Sequence, residues 1–131
     1  MARRRPTRAH GRRVWYIPDG YLPVHRPEQT DLVSHESLCL LNPSSREAHV
    51  TLTVYFEDRE PLRGIALTVP PERTWHVRLD RPEHLGGHLL PRGVPYALKV
   101  ESDVPIIVQL SRMDVTQPNL ALMTTMGFPA E

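Results

Sequence analysis

The amino-acid sequence predicts an all-β fold: a β-sandwich of about eight short, mostly antiparallel strands with little helix. Three observations carry that expectation. Apolar residues recur at every second position in one segment after another, which is the period of a half-buried strand. Turn-forming clusters such as "NPSSRE", "EDREPLRG" and "ESDVP" separate those segments. Fourteen prolines are spread from Pro6 to Pro129, and each fixes φ and removes a backbone donor, so long helices find no room.

Taken in chain order, the first strand is expected near residues 13–17 and the second over 36–42, within "SHESLCLLN". The clearest is expected over 48–57, within "AHVTLTVYFED". There Val50, Leu52, Val54 and Phe56 take one face, and His49, Thr51, Thr53 and Tyr55 the other. Its β-branched and aromatic side chains suit a pleated, half-buried surface. "GIALTVPP" gives a strand over 63–69 that Pro70 and Pro71 stop. "TWHVRLD", over 74–79, sets Trp75, Val77 and Leu79 against Thr74, His76 and Arg78. Two further strands are expected at 95–101 and 105–112, divided by the turn chemistry of "ESDVP". A last one falls around 120–126, where Thr124 and Thr125 favour strand over a short helix. "RPEHLGGHLLPRGVP" is too rich in Gly and Pro for a strand and reads as a loop. Short strands at this spacing point to a sandwich or barrel.

A chain of 131 residues fits one domain. Residues 1–13 hold six arginines and no acid, the composition of a disordered, solvated arm. Residues 14–131 are then the single β-sandwich domain. That body carries ten basic and fifteen acidic residues, and an acidic surface repels phosphate. Any contact with nucleic acid or acidic lipid is therefore confined to the arm. The lone Cys39 has no intrachain disulfide partner, and its apolar setting makes an inert thiol. Pro18, Asp19 and Gly20 interrupt "VWYIPDGYLPV" before a signal-peptide core develops. No apolar run approaches the roughly 20 residues of a membrane span. The expectation is a soluble, cytoplasmic protein.

The polar residues of the strands raise the question of a site. Alternation puts Ser34, Glu36, Leu38, Leu40 and Asn42 on one face of their strand, and His35, Ser37, Cys39 and Leu41 on the other. His35 and Glu36 thus diverge and do not share a metal, and no H-E-x-x-H spacing occurs. A nucleophile elbow, a P-loop and a G-x-G-x-x-G turn are equally missing from the sequence. An enzyme is not expected, and neither is a cofactor. His76 and Arg78 share a face, while the row Ile106, Val108, Leu110 runs on into Arg112 and Asp114. An Arg–Asp pair there could close the core or sit at a subunit contact. The sharper reading is a polar pocket lined from among Glu36, Asn42, His76, Arg78, Gln109, Arg112 and Asp114. Carboxylates, amides and guanidinium offer the paired donors and acceptors that a hydroxyl-rich ligand needs. Trp15, Tyr16 and Tyr21 could supply a flat apolar wall.

"GYLPV", "SHESLCLLN", "AHVTLTVYFEDREP", "LTVPPERTWHVRL" and "DVPIIVQLSRMDVTQPNLALMTT" resemble the sensory rhodopsin transducer family. The similarity runs in order from about Val14 to Phe128, and none of its motifs is a catalytic signature. The resemblance implies a small all-β domain that assembles as a homotetramer in a prokaryote. It further implies a small-molecule-binding role, for sugars or related metabolites, with links to transcriptional control. Either a sensory rhodopsin or another receptor would be the protein partner. The positions matching the family's motif are Trp15, Gly20, Tyr21, Ser34, His35, Glu36 and Asn42 in the first part of the chain. In the second part they are Arg73, His76, Arg78, Pro105, Gln109, Arg112 and Asp114. Ser34, His35 and Trp15 join the ligand-binding candidates on this ground. The arginine arm lies outside the shared motif.

Overall fold

The computed structural model describes residues 10–25 and 32–131. Residues 1–9, most of the expected arm, fall outside that range. Eight strands run in the order β1 (Arg12–Gly20), β2 (His35–Asn42), β3 (Ala48–Phe56), β4 (Leu62–Val69), β5 (Arg73–Arg78), β6 (Tyr96–Asp114), β7 (Ala121–Met126) and β8 (Phe128–Pro129). Arg12 and Arg13, counted with the arm in the sequence, are the first residues of β1. A single turn of 3-10 helix, Pro82–His84, interrupts the long loop before β6. The chain is all-β, and every strand pairing is antiparallel.

β6 organises everything else. It is one strand of 19 residues, where the sequence predicted two short ones. Its first half pairs with β3 and β1, its second half with β2 and β7. Asp103, Val104 and Pro105 pair with none of these strands. The missing N–H of Pro105 therefore removes no bond from a ladder. The turn-forming residues do mark a bend, but the chain passes through it without leaving the strand. Its even-numbered residues from Tyr96 to Leu110 stay on the inner face, with Ser102 at the bend the one partly exposed member.

Two wings grow from the halves of β6. The first has the order β4-β3-β6-β1-β8; the second adds β2, β5 and β7. β4 of the first wing comes close to β2 and β5 of the second. Leu38, Leu40, Val108 and Leu110 of the second wing join Ile17, Leu52, Leu67 and Leu98 of the first in one apolar cluster. The sandwich is thus one sheet folded about β6 over a common core.

Gly20, at the end of β1, shows how tightly the wing interior is filled. A Cβ there would lie 2.2 Å from the Tyr96 ring. That ring is buried and its hydroxyl is held by Glu36, so it has nowhere to swing. Gly20→Ala is expected to cost about 1–3 kcal/mol by overpacking, read as a lower urea midpoint. An unchanged midpoint would show that Tyr96 is free to move.

Candidate functional site

Alternation along β2 turns Glu36, Leu38, Leu40 and Asn42 inward, and all four are fully buried. Two of the four are polar. Each stands at one end of the strand and reaches across to the first wing, while also bonding groups on its own side.

Glu36 accepts from three donors. The Tyr21 N–H meets Oε1 at 2.7 Å and the Tyr96 hydroxyl donates to the same oxygen. Arg112 Nε meets Oε2 at 2.9 Å. Tyr96 opens β6 and Arg112 nearly closes it, so about 50 Å would separate them along a straight strand. Both reach one carboxylate only because β6 bends back on itself. Glu36 therefore fastens the wings at the end away from the bend. At the bend end, the Asn42 amide donates to Val69 O at 3.1 Å and Pro70 O at 3.2 Å, past the end of β4. It also donates to Arg46 O at 2.6 Å, and its oxygen accepts from the Ser44 N–H and hydroxyl.

Around the Glu36 end, further polar groups are ordered by short bonds. Arg112 Nη2 reaches Asp19 Oδ1 at 3.3 Å on the surface. The Ser34 hydroxyl accepts from Val115 N–H at 2.9 Å. Asp114 is capped by the N–H and hydroxyl of Thr116 at 2.9 and 2.6 Å. Beside them lies an open recess of about 390 Å³ lined by Tyr21, Pro23, Val24, Asp114, Thr116 and Gln117. Tyr21 is both a wall of this recess and a donor to Glu36.

Of the sequence-predicted candidates, Ser34, Glu36, Arg112 and Asp114 come together here. The others do not. Asn42 stands about 20 Å away, six residues along β2. Trp15 is core, with its indole N–H between Arg12 O at 3.0 Å and Ile106 O at 3.2 Å. His76 is opposite Cys39, which is opposite Gln109, so these three form a row on the outer face of the second wing. Gln109 donates there to Thr124. Arg78, next to Ser37 on that same face, holds Asp80 through two bonds of 2.7 and 2.8 Å. His35 Nδ1 turns back to Val33 O at 2.9 Å.

Three participants were not singled out in the sequence. Tyr96 read as one apolar member of a strand, although a buried phenol always needs a partner. Asp19 read only as part of the break in an apolar run. Arg92 sat in a loop, yet its guanidinium joins Pro23 O at 2.9 Å to Ser34 O at 3.0 Å and lies 3.7 Å from Asp80. No local spacing distinguishes such a bridge.

Electrostatics separates Glu36 from the other carboxylates. Burial pushes its pKa above the ordinary value, against the opposing hydrogen bonds from Tyr96 and Tyr21 and the Arg112 charge. The Tyr96 phenol is likewise pushed up, by burial and by the neighbouring carboxylate. Asp80 is held low because the Arg78 bonds and charge outweigh its burial, and Asp114 is held low by Thr116.

The signs are opposite for stability. A carboxylate with a lowered pKa stabilises the fold above the unfolded value, near pH 3.8 for Asp80 and Asp114, and loses that contribution as the pH falls. Glu36 keeps its proton longer in the folded state than in the unfolded one. Its contribution is full below about pH 4.5 and is lost as the pH rises through the folded value. Urea unfolding across pH 3–6 should therefore show an acid limb and, above 4.5, a decline that Glu36→Gln abolishes while the acid limb remains. His49, whose pKa is raised by its bond to Asp103, begins to contribute a decline only above pH 6.5. A decline between 4.5 and 6 that persists in Glu36→Gln contradicts the assignment.

Among the described residues no group of three His, Cys, Asp or Glu side chains is arranged to hold a metal. No helix of theirs is long and apolar enough to cross a membrane. The fold and site define a small all-β domain, built from one folded sheet and closed by a buried carboxylate. The chain belongs to the Anabaena sensory rhodopsin transducer family, whose model matches residues 10–129. It is similar to the Thermotoga maritima 1070 crystal structure, at 41% identity and a TM-score of 0.79, over 93% of this chain and 97% of that one. It is also similar to the solved Anabaena sensory rhodopsin transducer, at 38% identity and a TM-score of 0.71, over 81% of this chain and 91% of that one. Comparison with curated proteins gives no match.

Proposed function

We propose that this chain is a non-catalytic signalling module of the cytoplasm. It takes a small polar ligand, a sugar or related metabolite, in the recess beside Arg112 and passes on its state by protein contact as a homotetramer. One observation carries the reading: the recess shares Tyr21 with the Glu36 clasp. Asp114, the Arg112 neighbour two residues along β6, lines the same recess. A ligand seated there touches Tyr21, whose N–H bonds the Glu36 carboxylate. Asp114, Thr116 and Gln117 provide acceptors and donors for hydroxyl groups, and Tyr21 a flat wall.

Isothermal titration with neutral, acidic and amino monosaccharides tests it. Binding of at least one class is expected, weakened tenfold or more, about 1.4 kcal/mol, in Arg112→Ala and in Asp114→Asn. Absence of binding to the whole panel, or unchanged affinity in both variants, removes the ligand from the account.

The similarity to the Anabaena sensory rhodopsin transducer supports a second reading, in which the chain docks on a sensory rhodopsin or another membrane receptor and relays its state. Co-purification with a receptor from the same genome, independent of added sugar, would favour this over ligand sensing. A DNA role would belong to the arginine arm, because the ten basic and fifteen acidic residues beyond it leave the body acidic.

A further inference from the structure

The recess beside the clasp carries an uneven charge. Among the described residues that line it, Asp114 alone is charged. Both bonds that Asp114 accepts fall on one oxygen: the Thr116 N–H and hydroxyl meet Oδ1 at 2.9 and 2.6 Å, and no described donor meets Oδ2. Those bonds, with the more distant Arg112 charge, hold the carboxyl below the usual aspartate range, so it stays ionised. The cations nearby are already answered. Arg112 lies between Glu36 and Asp19, Arg78 holds Asp80, and Arg92 is 3.7 Å from that same carboxylate. Three guanidinium groups thus face three carboxylates, and Asp114 is left over as a fourth.

We propose that the recess selects a protonated amine, so that its ligand is an amino sugar or a similarly small hydroxylated amine rather than a neutral or acidic sugar. The inference rests on the ligand-binding reading above and deepens it. The polar lining suits a donor. The Thr116 hydroxyl commits its proton to Asp114, so its oxygen is left to accept, and an ammonium group brings three donors and no acceptor. Asp114 Oδ2 and the Gln117 amide oxygen add acceptors to the same lining. A bond from ammonium to carboxylate is charge-assisted and roughly twice as strong as one between neutral groups. Tyr21 supplies an aromatic ring, whose face attracts a cation. A neutral sugar can use these acceptors but forms no charge-assisted bond. An acidic sugar sets a like charge against Asp114, which disfavours it.

Calorimetric titration of the full chain with glucosamine, glucose, N-acetylglucosamine and glucuronate, at low salt and below the pKa of the amine, tests the assignment. Glucosamine is expected to bind at least about tenfold tighter than the two neutral sugars, and glucuronate weakest. In Asp114→Asn, which keeps the side chain's shape, glucosamine should fall to the level of glucose. Added salt should narrow the gap in the wild type. Equal affinity for glucosamine and glucose, or tightest binding of glucuronate, overturns the charge selection while a sugar site still stands. A preference for glucosamine that survives Asp114→Asn overturns it too, because the selecting charge then lies elsewhere. Binding of none of the four overturns the ligand reading and this inference together. The wild-type ranking decides the matter even where the variant fails to fold.

Discussion

A single buried carboxylate closes this molecule. Glu36 gathers the start of β6, the end of β6 and the residue after β1 onto its two oxygens. Enclosing a charge in an apolar interior is costly, and a buried ion pair is weak ground for stability. What it supplies here is geometry. An apolar side chain at position 36 would fill the space but would not specify where Tyr96, Tyr21 and Arg112 must stand. Asn42 works in the same way at the other end of β2, where its amide spans to β4. Between them Leu38 and Leu40 provide the burial. β2 is in effect a crosspiece, apolar in the middle and polar at both tips.

That arrangement explains why the polar residues near the clasp are not simply a binding site. Glu36 and Ser34 are already satisfied from within the fold, and Asp114 through its Oδ1. The guanidinium of Arg112 stands between the two regimes, with Nε committed to Glu36 and Nη2 to an exposed Asp19. The recess near it is open to solvent. It meets the clasp at Tyr21, which lines the recess and whose N–H bonds Glu36. The outer face of the second wing has a different character, with small neutral side chains.

Period-two alternation made most of the fold readable, because each wing buries one face and solvates the other. The strands around Val50, Leu67 and Val77 follow directly from it. β6 was divided in the sequence because "ESDVP" has the composition of a turn. Yet the apolar residues before and after it keep the same parity, Leu98 and Val100 with Ile106 and Val108, which a true turn has no reason to preserve. β8 is two residues long and contains a proline, too short for any period to appear. The site was legible in part. An apolar row ending in Arg112, and an acid facing inward at position 36, do signal a buried pair. Placing Asn42 with them overlooked the length of the strand, and placing His76 with them overlooked its face. Tyr96 was lost because its phenol is visible only once Glu36 is known to lie opposite it.

The carbon-13 NMR titration of the Glu36 carboxyl group, with the Arg112 Nε proton followed in the same sample, is the most direct test. A carboxyl midpoint above the ordinary glutamate value, with the arginine proton shifting at the same pH, is what the clasp predicts. An arginine signal indifferent to the carboxyl titration would mean that Arg112 is not bonded to Glu36 and that the wings close by some other means, whatever the midpoint, because the donors on Glu36 themselves lower its pKa against burial.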